Sequence, residues 1–369
     1  MGKTAKDRRF FLHRQFMETL KNDLIEGRYK PTEMIPSERI LVEKYKISRS
    51  TVRKALAQLI SEGWLYSTPG TGTFVSEVFP KEDSFVRSKS NSVACVLKTA
   101  NSPLDSPYYS KIFRSMQDKA AVSGYHLSFY SFVKESRAEL VKVIKDRKLD
   151  GVIIIGYMGQ NIILDVYRNK IPMVLVDNQL DKKGVTTIVP DNYGGAFQAT
   201  KYLIDLGHKT ILFMGGNRKD YAVTERFNGY RDALRQCGIA FRDEHYIKSH
   251  YRVNDGYNSM DKVLRSGKIP SAVLCINDES AVGALKAIRE KSRLRVPEDI
   301  SVIGFDDIDW VAHTNPPLTT VRIQKEEMGR MAIEFLIKQI ENDKYSGAKI
   351  IVPTELIIRS SCSKYSRKK

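Results

Sequence analysis

The sequence predicts an α/β protein with a small N-terminal domain and a larger body of two doubly wound lobes. Residues 37–75 contain two short helical patterns, followed by two short strand patterns around a Pro-Gly turn. Beyond residue 92, apolar runs of strand length alternate with amphipathic helical patterns, which is typical of repeated βαβ units. The length of 369 residues suits two or three domains.

The first short helix is predicted to begin after Ser37, which is a favourable N-cap. Its apolar side chains Ile40, Leu41 and Tyr45 fall on one face. An earlier helix, predicted from Phe10 to Glu26, precedes it. The earlier helix has an apolar stripe of Phe11, Phe16, Leu20 and Leu24 that should pack beneath the later elements.

The second short helix follows a break at Lys46-Ile47 and is predicted to be capped by Ser48. Its apolar stripe consists of Val52, Ala55, Leu56 and Leu59. The opposite face carries Arg49, Ser50, Thr51 and Arg53 in its first turns. This is the layout of a helix-turn-helix, in which the N-terminal end of the second helix enters the major groove. Arginine can donate two bonds to guanine, and hydroxyl groups can reach phosphates or bases.

A β-hairpin, or wing, is predicted after Gly63, which ends the second helix. Trp64–Ser67 and Thr73–Val75 are its strands, and residues 68–72 form its turn. The N-terminal domain, residues 1–79, is therefore predicted to be a winged helix-turn-helix. Its 14 Lys and Arg residues against 9 Asp and Glu residues suit a polyanionic partner.

The run from Leu24 to Val75 resembles the DNA-binding domain of GntR-type regulators. The resemblance rests on Glu26-Gly27-Arg28, Ile35-Pro36-Ser37-Glu38-Arg39, Ser48-Arg49-Ser50-Thr51-Val52-Arg53 and Gly70-Thr71-Gly72-Thr73-Phe74-Val75, in that order. It implies that double-stranded operator DNA is contacted by Arg39, Arg49, Ser50, Thr51, Arg53 and the wing-tip Gly70. Pro69 departs from the family pattern, since a basic or histidine residue often stands there.

Residues 80–91 are polar, charged and without periodicity, which predicts a linker to the body at residues 92–360. The second lobe is predicted to begin near Pro190. The body's predicted strands are Val93–Leu97, Leu127–Phe132, Gly151–Ile155, Met173–Val176, Thr187–Val189, Ile211–Met214, Ala272–Ile276, Ser301–Phe305 and Ile350–Ile357. Helices are predicted at Tyr193–Leu206, Glu225–Cys237, Glu279–Glu290 and Lys325–Ile340. Residues 361–369 are predicted to be a basic, frayed and solvated tail rather than a second nucleic-acid site.

Ligands of doubly wound sheets bind at the carboxyl ends of the strands, and the polar residues at these ends are therefore candidates for a site. They are Asp177, Asn277, Asp278, Asp306 and Asp307. Arg226 is predicted in the first turn of a helix, and Tyr108 and Tyr109 open the helix after the first strand of the body. A polyol requires such paired donors and acceptors, together with aromatic surface for its C–H faces.

The body also resembles the effector domain of LacI/GalR-type regulators, which is itself similar to periplasmic sugar-binding proteins (type I). The motifs are Asp191–Gly195, Leu206–Lys209, Glu225–Tyr230, Ala272–Asp278, Val296–Asp307 and Pro316–Val321. The resemblance implies that a small-molecule effector is contacted by Tyr108, Tyr109, Asp177, Arg226, Tyr251, Asn277 and Asp306. A GntR-type head on a LacI-type body is similar to the arabinose repressors, including residues 353–359.

Several site residues have a structural alternative. Asp278 and Asp307 can be helix N-caps or residues that brace the lobe, Tyr109 can belong to the core, and Asp177 can cap the following turn.

Other classes of protein are not supported by the sequence. The chain has no run of 18 apolar residues for a membrane span and no signal-peptide pattern. The four cysteines are far apart, which indicates free thiols in a reducing cytoplasm. The sequence shows no catalytic set, metal spacing or nucleotide fingerprint, so neither a cofactor nor a metal is expected.

The function predicted from these features is that of a cytoplasmic, ligand-responsive transcription factor. We expect a homodimeric repressor of carbohydrate-utilisation genes that a small sugar releases from its operator. An alternative is a co-repressor-type sensor of a purine or another metabolite on the same architecture, and an enzyme is a third possibility without a catalytic set to support it.

Overall fold

The computed structural model describes residues 16–77 except 18, 22, 25, 26 and 62, and then residues 90–97, 106–131, 137–180, 182–342 and 345–366. The side chains of residues 137–139 are not described. The chain divides into two compact units, Met1–Ser88 and Lys89–Lys369. The predicted start of the first helix, most of the linker and the last three residues lie outside the described residues.

The described residues of the first unit form three helices and a hairpin. The elements are α1, helical at the described positions between residues 16 and 24, α2 (Glu38–Tyr45), α3 (Arg49–Ser61), β1 (Leu65–Thr68) and β2 (Gly72–Val75). Lys46 ends α2 in a left-handed conformation (φ 52°), which turns the chain into α3. The antiparallel hairpin pairs Tyr66 with Phe74. The winged helix-turn-helix prediction is confirmed.

In the core of this domain, apolar side chains from one face of each described helix pack against the hairpin. Phe16, Leu20 and Leu24 of α1 are buried, as their helical spacing predicts. They share the core with Leu41, Val52, Ala55, Leu56, Leu59, Leu65 and Val75. Two details differ from the prediction. Ile40 is 47% exposed, and Ser37 makes no side-chain cap bond.

The second unit contains two six-stranded sheets, one in each lobe. The first sheet has the order β13-β7-β6-β5-β3-β4 and is entirely parallel. Its strands are β3 (Ser92–Leu97), β4 (His126–Ser131), β5 (Gly151–Ile155), β6 (Met173–Val176), β7 (Thr186–Pro190) and β13 (Lys349–Val352). The helices of this lobe are α4 (Pro107–Val122), α5 (Arg137–Asp146), α6 (Gln160–Arg168) and α11 (Lys325–Glu341).

The second sheet has the order β14-β12-β11-β10-β8-β9, and only β14 runs antiparallel to its neighbour. Its strands are β8 (Ile211–Gly215), β9 (Tyr246–Lys248), β10 (Ala272–Cys275), β11 (Ser301–Asp306), β12 (Thr319–Ile323) and β14 (Thr354–Ile357). The helices of this lobe are α7 (Asn192–Asp205), α8 (Tyr221–Gln236), α9 (Val253–Arg265) and α10 (Asp278–Lys291).

Strands covered on both faces explain why the sequence shows continuous apolar runs. Along β3, Val93 and Cys95 join one buried cluster, whereas Ala94 and Val96 join the cluster formed with α5 and α6. A parallel strand between two layers of helices must be apolar on both sides. The two doubly wound lobes are therefore the architecture that the sequence predicted.

The chain crosses between the lobes three times, and this corrects one predicted strand. The crossings follow β7, β12 and β13. The predicted strand Ile350–Ile357 is therefore two strands in two different sheets, separated by Pro353. The helix α11 follows a strand of the second lobe, but it packs on α4 and on the first sheet.

The C-terminal residues also differ from the predicted frayed tail. The Ser361 hydroxyl donates to the Val302 carbonyl (2.6 Å) and accepts from the Thr319 amide (2.8 Å). The Tyr365 amide donates to the Leu206 carbonyl (2.8 Å). Residues 361–365 are thus bonded to the second lobe.

Candidate effector site and DNA-binding face

The exposed start of α3 carries two arginines that one acidic residue holds side by side. The Glu38 carboxylate, at the first residue of α2, accepts from Arg49 Nε (3.1 Å), Arg53 Nε (3.1 Å) and Arg53 Nη2 (3.3 Å). The arginine side chains are 74% and 66% exposed. Hydrogen bonding from Arg53 is the main cause that lowers the pKa of Glu38. Glu38 therefore fixes the spacing of the two guanidinium groups, a role that the sequence analysis did not assign to it.

The other predicted DNA-contacting residues are divided by the structure. Arg39 and Ser50 are exposed, and Gly70 lies at the wing tip with φ 75° and open space around the position of a Cβ. Thr51 is only 8% exposed. Its amide donates to Ser48 Oγ (3.2 Å), and the two hydroxyls lie 2.7 Å apart. The prediction of Thr51 on the outer face is therefore wrong, because this residue belongs to the cap of α3.

The candidate effector site lies at the carboxyl ends of the strands, where two aspartates adopt left-handed backbone conformations. Asp177 follows β6 with φ 55°, and Asp306 ends β11 with φ 115°. Non-glycine residues with positive φ are uncommon, and they concentrate at functional sites where the surrounding structure holds the strain. Both aspartates that were predicted at strand ends thus have a strained backbone conformation.

In the first lobe, two tyrosines stand beside Asp177. The Tyr108 hydroxyl lies 3.5 Å from Asp177 Oδ2, and the Tyr108 and Tyr109 rings meet edge to face at 5.0 Å. Gly156 (φ 67°) allows Tyr109 to approach closely, since a Cβ there would lie 2.6 Å from the Tyr109 hydroxyl. The Oδ1 atom of Asp177 is buried and has no hydrogen-bond partner among the described residues. Burial raises the pKa of Asp177 to about 6, and the charge of Arg226 opposes this shift.

In the second lobe, Arg226 is 4% exposed and connects the start of α7 with the ends of β10 and β11. Its Nε donates to Asn192 Oδ1 (2.8 Å), its Nη1 donates to the Ile276 carbonyl, and its guanidinium lies 3.7 Å from the Phe305 ring centroid. Its Nη2 stands 3.7 Å from Asp306 Oδ1, beyond a direct hydrogen bond. Burial raises the pKa of Asp306 well above its usual value, and Arg226 counteracts this. The two side chains are close enough to share one ligand.

The two halves of the site influence each other electrostatically. Besides desolvation and the adjacent Asp177, the carboxyl groups of Asp220 and Asp306 raise the pKa of Tyr109 across the lobes. Asp220 was not predicted as a site residue. Its Oδ2 accepts from the Tyr251 hydroxyl (2.5 Å), and its Oδ1 caps α8 at the Ala222 amide (3.0 Å). The structure therefore brings Tyr251 to the site together with a partner that the sequence analysis missed.

Asp220 was not predicted because the helix was expected to begin at Glu225. In the structure α8 begins four residues earlier, at Tyr221, and Asp220 is its N-cap. Arg226 lies in its second turn rather than its first. An N-cap signal was present, since an aspartate directly before a helix is a favourable cap.

Asn277 is used by the protein itself. Its Oδ1 caps α10 at the Ser280 amide (3.0 Å), and its Nδ2 donates to the Tyr251 carbonyl (2.8 Å). Both ends of the amide are therefore bonded to protein atoms, and Asn277 positions Tyr251 in this arrangement.

The neighbouring aspartates brace the second lobe, which is one of the alternatives predicted for them. Asp278 accepts from Thr320 Oγ1 (2.5 Å) and from the Ile308 amide (2.9 Å). Asp307 pairs with Arg322 (2.8 Å) and Arg359 (2.7 Å). Neither residue is the N-cap of a helix.

Two lysines connect the site to the crossings between the lobes. Lys325, at the start of α11, is buried and donates to the carbonyls of Asp306, Asp307 (3.1 Å) and Ile323 (3.3 Å). Lys111 of α4 in the first lobe pairs with Asp309 of the second lobe, and lies 3.7 Å from Glu326. Across the described ranges, no three His, Cys, Asp or Glu side chains form a cluster suited to a metal ion. Nor is any helix there long and apolar enough to cross a membrane.

Comparison with known proteins identifies both parts of the chain. Residues 12–75 match the family described as "Bacterial regulatory proteins, gntR family", and residues 200–362 match the "Periplasmic binding protein-like domain". The arabinose metabolism transcriptional repressor of Geobacillus stearothermophilus is 31% identical over 94% of this chain and 96% of its own. The repressor PurR of Histophilus somni is 33% identical over 70% of this chain and 78% of its own.

Solved structures are similar to the chain as well. The Escherichia coli transcriptional repressor AscG has a TM-score of 0.63 and 27% identity, over 74% of this chain and 99% of that one. A complex of the transcriptional regulator CelR with cellobiose has a TM-score of 0.70 and 24% identity, over 86% of this chain and 92% of that one.

A DNA-binding head joined to a periplasmic-binding-protein-like body defines a ligand-responsive transcriptional regulator. The chain belongs to the family of bacterial transcriptional repressors that carry a GntR-type head on a LacI-type effector domain, as the arabinose metabolism repressors do.

Proposed function

We propose that this repressor controls carbohydrate-utilisation genes and that a small sugar, bound between the lobes, releases it from its operator. The observation that carries this proposal is the buried Arg226–Asp306 pair, separated by 3.7 Å and lying at strand ends. A sugar hydroxyl can accept from Arg226 and donate to Asp306 at the same time. The 31% identity to an arabinose metabolism repressor over 94% of the chain supports a sugar in that place.

In this proposal, the ligand stabilises the closed arrangement of the lobes. Tyr108, Tyr109 and Asp177 belong to the first lobe, and Arg226, Tyr251 and Asp306 belong to the second. A ligand that touches both groups binds the closed form better than an open one, and only that difference in affinity can shift the population. Asn277 contributes indirectly, since its side chain holds the Tyr251 backbone (2.8 Å).

We further propose a cytoplasmic homodimer, assembled through the effector domain. One winged domain can contact only one half-site, whereas a two-fold operator pairs with a two-fold protein. On DNA, Arg49 and Arg53 read base edges, and Arg39, Ser50 and Gly70 contact the DNA backbone or the adjacent groove. Thr51 stabilises the N-terminal end of α3 through Ser48. Ligand-driven closure changes the spacing of the two heads. The protein has no enzymatic role in this scheme.

The test is a DNA-binding titration of the full-length protein on an operator selected from a random-sequence pool. L-Arabinose, D-ribose, D-glucose and cellobiose are each added at millimolar concentration, with hypoxanthine and adenine as the comparison. We expect one of the sugars to weaken operator binding by at least about tenfold, or about 1.4 kcal/mol, which lies within the range of about 1–3 kcal/mol that is typical of allosteric coupling. A nucleobase that tightens operator binding would instead establish the co-repressor alternative.

A further inference from the structure

Lys111 has an acidic neighbour in each lobe. It lies in the second turn of α4, in the first lobe. Its ammonium group bonds to the carboxylate of Asp309, which begins a short 3₁₀ helix of the second lobe after β11. The carboxylate of Glu326, in the first turn of α11, stands 3.7 Å from the same ammonium group. A change of side-chain rotamer is therefore enough for Lys111 to exchange one carboxylate for the other.

Glu326 belongs to the first lobe because α11 packs closely on α4. The closest approach is at Gly329, where a Cβ would lie 2.0 Å from Ser115 Oγ and 2.4 Å from the Ile112 carbonyl oxygen. A larger residue at this position would push the two helices apart. The helix α11 also contacts β5, β6 and β7 of the first sheet. A rotation of the lobes therefore carries Glu326 together with Lys111.

A second ion pair fixes the register of α4 and α11. The Lys119 ammonium pairs with the Glu334 carboxylate (2.8 Å). Lys111 and Lys119 are eight residues apart on α4, as Glu326 and Glu334 are on α11. The two contacts therefore follow one another along helices that run in the same direction, and both lie within the first lobe.

Asp309, in contrast, is attached to the second lobe on both sides in the chain. The Ile308 amide directly before it donates to the buried Asp278 carboxylate (2.9 Å). Two residues after it, the carbonyl of the buried Val311 accepts from the Leu318 amide (3.0 Å), just before β12. An opening of the cleft therefore moves Asp309 away from Lys111.

We propose that Lys111 is a two-position latch, which pairs with Asp309 of the second lobe when the lobes are closed and with Glu326 of its own lobe when they are open. Opening then leaves no unpaired ammonium group. The side chains of Lys111, Asp309 and Glu326 are 29%, 77% and 59% exposed, and ion pairs of this exposure contribute little. The latch thus biases the balance between the two arrangements and locks neither. This inference rests on the proposed function only in that a ligand closes the lobes, and it does not depend on the class of ligand.

The two acidic partners should affect ligand binding in opposite directions. Asp309→Asn removes the partner of the closed form and so favours the open form. Glu326→Gln removes the partner of the open form, which in the closed form stands 3.7 Å away, and so favours the closed form. Because the ligand binds the closed form better, we expect Asp309→Asn to weaken ligand binding about twofold to fivefold and Glu326→Gln to strengthen it by a similar factor. A purely structural role of Glu326 would not improve the affinity.

Calorimetry on the full-length protein measures these affinities. L-Arabinose, D-ribose, D-glucose, cellobiose, hypoxanthine and adenine are the probes, and each compound that binds the unchanged protein is titrated into the variants. Glu334→Gln is the matched control, because it removes an ion pair between the same two helices eight residues further along α11. It should leave the affinity unchanged.

Carbodiimide cross-linking identifies the partner of Lys111 directly, because the reagent joins an amine to a carboxyl group in contact with it. After proteolysis, mass spectrometry gives the ratio of the Lys111–Asp309 product to the Lys111–Glu326 product, with the Lys119–Glu334 product as the reference. The ratio is measured in the free, the operator-saturated and the ligand-saturated protein. We expect the ratio to differ by at least about twofold between the operator-saturated and the ligand-saturated protein, with the higher value in the presence of ligand.

The outcomes distinguish this inference from the proposed function. The latch is overturned by a ratio that is the same in all three states, or by variants of Asp309 and Glu326 that leave the affinity unchanged or shift it in the same direction. A ratio that operator and ligand both raise supports the latch but overturns release by the ligand, because both then prefer the closed form. If none of the probes binds, the free and operator-saturated proteins decide, and an equal ratio in these two states overturns the latch.

Discussion

Replacing Arg226 by alanine should destabilise the effector domain as well as remove the ligand response. The change leaves Asn192 Oδ1 without its 2.8 Å donor, removes a donor from the Ile276 carbonyl and removes the guanidinium paired with the buried Asp306 carboxyl. Breaking a buried pair by removal of one partner costs about 3–5 kcal/mol. We expect a loss of this size in the free energy of unfolding of the full-length protein.

The assay is urea denaturation followed by circular dichroism, with Arg226→Lys as the comparison. Lysine keeps the charge but cannot reproduce the planar fork that reaches both Asn192 and Ile276. It should therefore recover part of the stability and little of the ligand affinity. An Arg226→Ala protein within about 0.5 kcal/mol of the unchanged chain, the range of ordinary surface substitutions, would refute the view that this guanidinium holds the strand ends together.

Three further predictions concern the head, the site's pH dependence and the assembly. Arg49→Ala and Arg53→Ala should each weaken operator binding by about 1–3 kcal/mol. Glu38→Gln loosens both arginines and should therefore reduce the discrimination between operator sequences. If all three mutant proteins bind every operator sequence as the unchanged protein does, the start of α3 is not the DNA-reading face. Burial raises the pKa of Asp177 from its ordinary value of 3.8 to about 6, so this residue destabilises the fold increasingly as pH rises from about 4 to 6. Asp177→Asn should therefore gain stability over the unchanged protein at pH 7.5 and not at pH 4, as measured by urea denaturation at both values. Light scattering of the full-length protein at micromolar concentration should give the mass of a dimer, and a monomer would contradict the proposed assembly.

The sequence predicted the strands and the strand-end aspartates for a physical reason. A parallel strand buried on both faces must be apolar throughout, so runs such as Gly151–Ile155 stand out from their surroundings. Residues at the carboxyl end of such a strand lie at the ligand-binding edge of the sheet, and this position predicted Asp177 and Asp306 as site residues.

Other features depend on contacts that periodicity does not contain. The three-residue strand β9 is too short for a pattern. Three residues of β12 are not apolar, and two of them, Thr319 and Thr320, are nevertheless buried. The helix α11 was predicted, but its return to the first lobe is decided by packing on α4. The pairing of Glu38 with two arginines eleven and fifteen residues away joins two helices, so no local rule reveals it.

The prediction that Thr51 lies on the exposed face of α3 was wrong, and the helical spacing in the sequence already argued against it. It lies four residues before Ala55, which belongs to the apolar stripe of α3, so the two share a face of the helix. Its polar character suggested an exposed position, whereas the hydroxyl is satisfied locally by Ser48 (2.7 Å). A small polar residue near a helix start can thus be part of the cap and of the core boundary.

The most direct test of release by a sugar is the reciprocity between sugar binding and operator binding. The affinity of the full-length protein for the sugar that releases it is measured by calorimetry, once with the free protein and once with the saturated operator complex. Because binding free energies are linked, we expect the operator to weaken sugar binding by the same factor by which the sugar weakens operator binding. Equal sugar affinity in the two states, or tighter binding to the operator complex, would contradict the proposal that this ligand releases the repressor from DNA.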